Sequence, residues 1–330
     1  MADAIHGIEL FAGAGGLAVG LEQAGIEGDL FVEIDHWACE TLRHNRPEWN
    51  VVEGDVHEVD FSPYAGKVDL VSGGAPCQAF SMAGKRLGFG DTRGTLFAEF
   101  ARCVRETKPR MFLFENVKGL LSHDHGNTYR TILHEFEELG YQVQSKVLDA
   151  SYYGVGQKRE RIILVGTRND LVDSVKFEYP EPDATRTTLR DALAGCPESE
   201  GASYSEKKRK ILEMVPPGGC WVDLPREVAR EYLGGSWKTG GGKRGMARRI
   251  SWDEPCLTLT TSPSQKQTER CHPDETRPFT VREYARIQSF PDDWEFQGGM
   301  GSQYKQIGNA VPTELARRIG EQVVRALTGN

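Results

Sequence analysis

Several features that define other classes of protein are missing from these 330 residues. No apolar run approaches the roughly 18–20 residues that span a bilayer, so we expect no membrane segment. The N-terminus has neither a basic stretch nor a long apolar one, which predicts no signal peptide. The seven cysteines form no Cys-x-x-Cys pair, so neither a disulfide framework nor a zinc site is expected, and we assign no metal ligands. These absences favour a reducing, cytoplasmic environment.

An overall positive charge is also lacking, because the net charge is −8. Taken whole, this argues against a nucleic-acid partner. The charge is uneven, however: residues 1–204 carry a net −12, whereas residues 205–250 carry a net +6. Such a basic stretch is either a solvated surface or a local phosphate-binding face.

Short apolar runs alternate with helix-like stretches over roughly the first 170 residues, which favours an α/β fold with a doubly wound, mainly parallel sheet. Asn127 is predicted to cap one of these helices. After Tyr179 the periodicity weakens and Gly and Pro become frequent, which indicates a second, loop-rich domain. An amphipathic helix over about 312–327 is expected to pack back on the first domain. The predicted domains are residues 1–178 plus 301–330, and residues 179–300.

A glycine-rich turn, Phe11-Ala-Gly-Ala-Gly-Gly16, follows the first predicted strand. It fits the relaxed dinucleotide fingerprint, in which glycines let the backbone approach a ligand at a helix N-terminus. Glu33 lies 20 residues after Gly13, where a carboxylate can accept hydrogen bonds from ribose hydroxyls. Asp55, after another short strand, could contact an adenine edge. Alone, this pattern predicts an adenosine-containing cofactor, either a nicotinamide dinucleotide or S-adenosylmethionine.

Pro76 and Cys77 follow the predicted strand Val68–Val71, at the strand end where open α/β sheets build their sites. Most cysteines are inert apolar residues, but the polar, glycine-rich loop from Phe80 to Thr95 indicates an exposed setting. Glu115 ends the next apolar run and could face the same cleft. Cys77 is therefore the candidate nucleophile, and the other cysteines are taken as structural.

Together these segments resemble those of DNA (cytosine-5)-methyltransferases of the prokaryotic restriction–modification type. The matching segments occur in the family's order and are, besides the glycine turn, Gly74-Ala-Pro-Cys-Gln78, Glu115-Asn-Val117, Gln157-Lys-Arg-Glu-Arg161, Arg277-Pro-Phe-Thr-Val-Arg-Glu283 with Gln288-Ser-Phe-Pro291, and Gly308-Asn-Ala-Val-Pro312. The resemblance implies a Rossmann-like, S-adenosylmethionine-dependent methyltransferase fold with a smaller target-recognition domain. Residues from about 180 to 276 lie outside the matching motifs.

The resemblance also implies a mechanism. Cys77 would add to C6 of a cytosine extruded from duplex DNA, and C5 would then take the methyl group of S-adenosylmethionine, leaving S-adenosyl-L-homocysteine. Glu115 would bind N3 and the exocyclic amine, Arg161 would contact the base O2, and Arg159 would steady the site or a phosphate. The implied catalytic residues are Cys77, Glu115, Arg159, Arg161, Pro76 and Asn116.

Cofactor and DNA contacts are implied in the same way. The cofactor residues are Phe11, Gly13, Gly15, Gly16, Leu17, Glu33, Ile34, Asp55, Val56, Asn309 and Val311. The loop from Gln78 to Thr95 would close over DNA, and the second domain would read sequence from the major groove. The expected phosphate contacts are Lys85, Arg86, Arg93, Lys238, Lys243, Arg244, Arg248 and Arg249, with Thr258, Thr260 and Thr261 as base or backbone contacts.

Three other functions fit parts of the sequence. A tRNA cytosine-5 methyltransferase shares the Cys and Glu-Asn-Val motifs, although the Cys-Phe-Thr signature of that subgroup is absent here. A nicotinamide-dependent dehydrogenase explains only the glycine turn. A non-catalytic DNA-binding relative typically lacks catalytic residues, which are present here. We expect a monomer near the nucleoid that acts on double-stranded DNA, with a cognate restriction endonuclease as a functional rather than physical partner.

Overall fold

The polypeptide passes repeatedly between two units. The structure is a computed structural model that describes residues 4–75, 96–239 and 245–329. The first unit comprises residues 1–149, 160–181 and 313–330, and the second comprises residues 150–159 and 182–312. These boundaries differ from the predicted ones because residues 150–159 and 301–312 belong to the second unit and residues 179–181 to the first.

Strands and helices alternate along most of the first unit, as expected. Across both units, the described strands are β1 (Ile5–Leu10), β2 (Ile26–Glu33), β3 (Val51–Glu53), β4 (Leu70–Gly73), β5 (Met111–Val117), β6 (Tyr141–Asp149), β7 (Gln157–Lys158), β8 (Glu160–Arg168) and β9 (Cys256–Leu257). The α-helices are α1 (Gly16–Gln23), α2 (His36–Asn45), α3 (Leu96–Thr107), α4 (Asn127–Glu138), α5 (Leu189–Leu193), α6 (Glu206–Leu212), α7 (Arg226–Leu233), α8 (Val281–Ile287), α9 (Met300–Asn309) and α10 (Thr313–Thr328).

The first unit is built on a seven-stranded sheet with the order β3-β2-β1-β4-β5-β8-β6. Strands β1 to β5 run parallel to one another, whereas β8 is antiparallel to both β5 and β6. The strand order changes direction between β1 and β4. Ligands bind at such a switch point, beyond the carboxyl ends of the strands. The predicted α/β fold with a mainly parallel sheet is confirmed.

Glycines lie at the ends of helices α1 and α4. Gly25 follows α1 with φ +94°, a left-handed conformation that only glycine adopts readily. The predicted cap at Asn127 is wrong by one residue, because the N-cap of α4 is Gly126, with φ +83°. Asn127 is instead the first helical residue, and its side chain contacts Asp124 and Arg130.

Aromatic side chains fill the core beside β5. Phe112 and Phe114 of β5 pack with Phe97 and Phe100 of α3 and with Phe136 of α4, mostly with rings edge to face. All five side chains are fully buried. Edge-to-face contacts stabilise aromatic pairs beyond the burial of their area. This cluster fixes β5, which carries Glu115 at its carboxyl end.

Helix α10 returns to the first unit and packs closely on α1. A Cβ built on Gly20 of α1 would lie 2.4 Å from the Cβ of Ala316 and from the carbonyl oxygen of Thr313. A Cβ on Gly320 would lie 2.7 Å from the Cβ of Ala24. Small residues on both helices therefore permit the close approach. The predicted helix over about 312–327 packs on the first unit, as expected.

The second unit has little regular structure. Its described strands, β7 and β9, form a parallel pair of two residues each. One apolar core joins α6 and α7 to the segments around Met246 and Cys271. No helix in the described ranges of either unit combines the length and apolar character needed to cross a bilayer.

Candidate active site

The glycine turn lies at the carboxyl end of β1, beside the switch point. Phe11, Gly13 and Gly15 have φ values of +58°, +54° and +88°. The amide of Gly15 donates to the carbonyl of Ala12 at 3.0 Å, which closes the turn. Helix α1 begins at Gly16, and its N-cap, Gly15, offers no side chain to the first-turn amides. The turn therefore presents backbone donors and the positive end of a helix dipole.

Glu33 organises this turn. Its Oε2 accepts from the amide of Gly13 at 2.7 Å, and its Oε1 accepts from the amides of Ile34 and Asp35 at 2.8 and 2.7 Å. Three charge-assisted hydrogen bonds hold the carboxylate at the end of β2, next to the turn. A carboxylate has further lone pairs, so this group can still accept hydrogen bonds from a sugar.

The other predicted cofactor residues differ in accessibility. Ile34 is 70% exposed, so its side chain is accessible to a ligand. Asp55 accepts from the backbone amide of His57, and its Oδ1 lies 2.6 Å from Nδ1 of the same residue; these bonds lower the pKa of Asp55. Leu17 and Val56 are buried. Their side chains contribute to the protein interior, so only their backbone can face a ligand.

Glu115 and Arg161 form an ion pair at the carboxyl end of β5. The Arg161 Nε lies 2.7 Å from Glu115 Oε1, and each side chain is 12% exposed. The pair forms because β8 is antiparallel to β5, which places Arg161 opposite Val117. A Cβ on Gly74 would lie 2.7 Å from Glu115 Oε2, so glycine at this position leaves room for the carboxylate.

Asn116 joins the ends of β4 and β5. Its Nδ2 donates to the carbonyl oxygen of Ala75 at 2.9 Å, and its Oδ1 accepts from the amide of Val117 at 2.9 Å. The side chain is buried. Seven predicted site residues lie outside the described residues, and these are Pro76, Cys77, Lys85, Arg86, Arg93, Lys243 and Arg244.

Arg159 belongs to the second unit, whereas Arg161 belongs to the first. Its Nη2 donates to the carbonyl of Gly308 at 3.0 Å, and its Nη1 donates to the carbonyl of Leu259 at 3.3 Å. The side chain is buried. A guanidinium bound to backbone carbonyls in this way positions the chain, so the structure does not support the predicted phosphate contact. Asn309 and Val311 also lie in the second unit.

Two glutamines, which the sequence analysis did not assign to the site, continue this network. The Gln157 Nε2 donates to Gln288 Oε1 at 2.9 Å, and the Gln288 Nε2 donates to the carbonyls of Ile307 and Ala310. Both amides are fully buried. Each glutamine lies in a segment that matches the family, but the sequence offers no sign that the two side chains meet.

The C-5 cytosine-specific DNA methylase family profile matches residues 5–325. The chain belongs to this family. The DNA methylase is 59% identical to Type II methyltransferase M.Eco47II of Escherichia coli, over 97% of this chain and 79% of that protein. It is 57% identical to Type II methyltransferase M.Sau96I of Staphylococcus aureus, over 97% and 75% of the two chains.

Solved structures agree with the fold of the DNA methylase. The crystal structure of a Spodoptera frugiperda DNMT2 mutant superposes with a TM-score of 0.70 at 18% identity, and covers 97% of this chain and 99% of that one. The family predicted from the sequence is confirmed. Membership also favours a DNA methylase over the tRNA-modifying and dehydrogenase alternatives.

The structure describes three of the five DNA-contacting cations that were predicted in the second unit of the DNA methylase. Lys238 is exposed, whereas Lys243 and Arg244 lie outside the described residues. Arg248 is mostly buried, with its Nη2 4.0 Å from Glu254. The prediction for Arg249 is not supported, because this side chain is only 4% exposed. Its guanidinium donates to four carbonyls and one hydroxyl of the second unit.

The predicted threonine contacts are partly occupied by backbone partners. The Thr258 hydroxyl donates to the carbonyl of Lys158 at 2.7 Å, and the Thr260 hydroxyl donates to the carbonyl of Ser262 at 3.0 Å. Thr261 is exposed. Of the three hydroxyls, that of Thr261 is therefore the best placed to meet DNA.

One cluster could be mistaken for a metal site. Oxygen and nitrogen atoms of His36, Glu40 and Glu53 lie within 4.8 Å of one another. Arg43 already donates to both carboxylates, at 2.9 and 2.7 Å. Because a cation from the chain already compensates these acids, we assign no metal to this cluster.

Proposed function

We propose that this DNA methylase transfers a methyl group from S-adenosylmethionine to C5 of a cytosine in double-stranded DNA, as the modification enzyme of a restriction–modification system. The observation that carries the proposal is the hydrogen bond from Asn116 to Ala75. It fixes the chain one residue before Pro76-Cys77 to the residue beside Glu115. By covalent geometry, the Cα of Cys77 is within about 8 Å of the Cα of Ala75.

The residues of the first unit suit the proposed cofactor. The glycine turn and the uncapped start of α1 offer backbone donors, and Glu33 offers a carboxylate at the end of β2. Ile34 provides an exposed apolar side chain next to that carboxylate. S-Adenosylmethionine supplies an electrophilic methyl group when it is bound. The finer assignment of Asp55 to the adenine rests on its position after β3.

In the proposed reaction, the Cys77 thiolate adds to C6 of the cytosine, which makes C5 nucleophilic. Glu115 binds N3 and the exocyclic amine, and the Arg161 ion pair fixes the orientation of its carboxylate. After methyl transfer, loss of the C5 proton and departure of Cys77 restore the aromatic ring. A base within a duplex cannot reach the thiol, so the nucleotide must leave the stack at a cost of a few kcal/mol.

The first experiment maps methylation in DNA from cells that express the chain. Bisulfite sequencing should show 5-methylcytosine at one recurrent sequence, and a Cys77→Ala variant should show a loss on the order of 10³-fold or more. Purified enzyme should transfer labelled methyl groups to duplex DNA and not to tRNA. Transfer to tRNA alone would contradict the proposal.

The second experiment tests the nucleophile directly. With S-adenosylmethionine present, a 5-fluorocytosine at the mapped position can be methylated at C5 but cannot then lose its fluorine, so the enzyme should remain covalently attached. Peptide mapping should locate the adduct at Cys77, and a Cys77→Ser control should not form it. An adduct at any other residue would exclude Cys77 as the nucleophile.

A further inference from the structure

The basic stretch of the second unit contains cations that acidic side chains already neutralise. On α6, Arg209 pairs with Glu206 and Glu213, and Lys210 pairs with Glu206. Two more cations pair across the unit, Lys207 with Glu231 and Lys208 with Glu269. The run of basic residues 207–210 therefore has its charge balanced within the protein and is poorly suited to bind phosphate.

Helix α7 differs from α6 in this respect. Arg226 and Arg230 are separated by one helical turn and lie on neighbouring positions of its surface. Both are exposed, and neither forms an ion pair with any residue in the described part of the chain. Their charges are consequently available to a partner.

The backbone that carries these arginines is firmly anchored. Ala229, Tyr232 and Leu233 of α7 are buried in the apolar core of the second unit. The 3₁₀ turn Gly234–Thr239 continues from α7 and contacts it, and its Trp237 meets Trp221 edge to face. Lys238 follows Trp237, is exposed, and has no ion-pair partner within the described ranges.

We propose that Arg226, Arg230 and Lys238 form a face that binds the phosphate backbone of duplex DNA. The inference rests on the proposed function, because the partner is the DNA that the enzyme methylates. Three uncompensated cations on one anchored segment match a polyanion, and an exposed guanidinium can donate two hydrogen bonds to a phosphate. Such contacts position the enzyme and carry no sequence information.

One acidic residue interrupts this face and provides an internal control. Glu227 follows Arg226, is exposed, and has no cationic partner in the part of the chain that the structure describes. A carboxylate so close to DNA phosphates would repel them. Removal of its charge should therefore strengthen DNA binding, in contrast to removal of the neighbouring positive charges.

The test compares pairs of charge-neutralising substitutions. Arg226→Gln/Arg230→Gln removes two uncompensated cations, whereas the matched control Arg209→Gln/Lys210→Gln removes two compensated ones from an exposed helix of the same unit. Affinity for a methylatable duplex and for a scrambled duplex is measured in the presence of S-adenosyl-L-homocysteine, over a range of about 50 to 300 mM NaCl. Melting temperature and cofactor affinity verify the fold of each variant.

The arginine pair should reduce the magnitude of the salt slope by about 0.9 per lost phosphate contact and weaken binding roughly fivefold to tenfold per arginine near 0.1 M salt. Both duplexes should be affected equally. The control pair should change affinity less than about twofold, and Glu227→Gln should tighten binding.

Two different failures can be told apart. Should the wild-type protein bind no duplex and methylate none, the proposed function itself fails. Equal effects of the arginine pair and the control pair, in an otherwise active enzyme, would overturn only the assignment of this face. Loss of binding to the methylatable duplex alone would also overturn it, because phosphate contacts do not discriminate sequence.

Discussion

At the scale of single residues, Asn116 is a positioning residue for the nucleophile. Asn116→Asp keeps an acceptor for the Val117 amide but loses the donor to Ala75. We expect turnover to fall about 10- to 100-fold, because small displacements of reacting groups have effects of this size. Cofactor affinity should remain unchanged, and calorimetry with S-adenosyl-L-homocysteine measures it.

Asn116→Ala serves as a second variant, because it removes the donor without introducing a charge. Both variants should form the 5-fluorocytosine adduct more slowly, even where their melting temperatures match that of the wild type. A stable variant with wild-type adduct formation would show that the link to Ala75 does not position Cys77.

Glu9 is a buried acid that gives the first unit a pH-dependent stability. Only 4% of this residue of β1 is exposed, and its burial raises its pKa to about 8, with Glu33 adding to the effect. The nearby polar groups of Ala18 and Ser72 oppose the shift in the pKa of Glu9. The native state therefore keeps a proton between about pH 4.5 and 8 that the unfolded state has released.

Native-state stability should consequently fall as the pH rises through this window and then level off, with a slope of at most about 1.4 kcal/mol per pH unit from this group. The glutamine of the Glu9→Gln variant cannot ionise. The melting temperature of this variant should therefore exceed that of the wild type by a margin that grows between about pH 5 and 8. Calorimetric melts across this range measure the margin. Parallel curves for the two proteins would contradict the assignment.

At the scale of elements, the contact between α1 and α10 depends on glycine. Gly20→Ala would place a Cβ against the backbone of α10, so the helices must separate. We expect a loss of about 1–3 kcal/mol from overpacking, despite a gain of about 1 kcal/mol in helix propensity. Gly301→Ala is the matched control, because its Cβ would meet nothing within 4 Å. Thermal melts should show a lower transition for Gly20→Ala only.

The sequence predicted elements best where burial is continuous. Strands β1, β4 and β5 are fully or nearly fully buried, and the sequence predicts all three from the apolar residues that they contain. Strand β6 was missed because exposed Gln and Lys side chains interrupt its apolar residues. Helix α2 was missed because its buried residues are mainly small or polar, namely Ala38, Cys39 and Thr41 with Leu42. Weak periodicity of this kind does not distinguish helix from loop.

The two motif arginines show what the sequence could not predict about the site. Arg159 and Arg161 are separated by one residue, yet one binds backbone carbonyls of the second unit and the other binds Glu115. The sequence identified both as site residues. Their separate roles depend on which distant segments lie beside each, and that is a property of tertiary packing.

At the scale of the whole molecule, the first unit is assembled from three separate stretches of chain. A chain that ends at Pro312 would lack α10, whose buried side chains include Leu315, Ile319 and Val323. We expect it to lose cooperative unfolding and to aggregate, because α1 would expose its apolar surface to water. Circular dichroism melts and gel filtration measure this.

A chain that ends at Thr328 is the matched control and should behave as the full protein does, since it keeps α10 intact. Cooperative unfolding of the shorter chain at the wild-type temperature would show that the first unit folds without its final helix.

The reversed direction of β8 decides where its first residues lie. With nine residues at about 3.3 Å each, this strand is roughly 30 Å long. Had it run alongside β5 in the same direction, Arg161 would lie beside Met111 at the other end of β5, roughly 14 Å from Glu115. Because this strand is antiparallel, the chain re-enters the sheet at the same edge where the chemistry is proposed to occur, and no additional crossover is needed to bring Arg161 there.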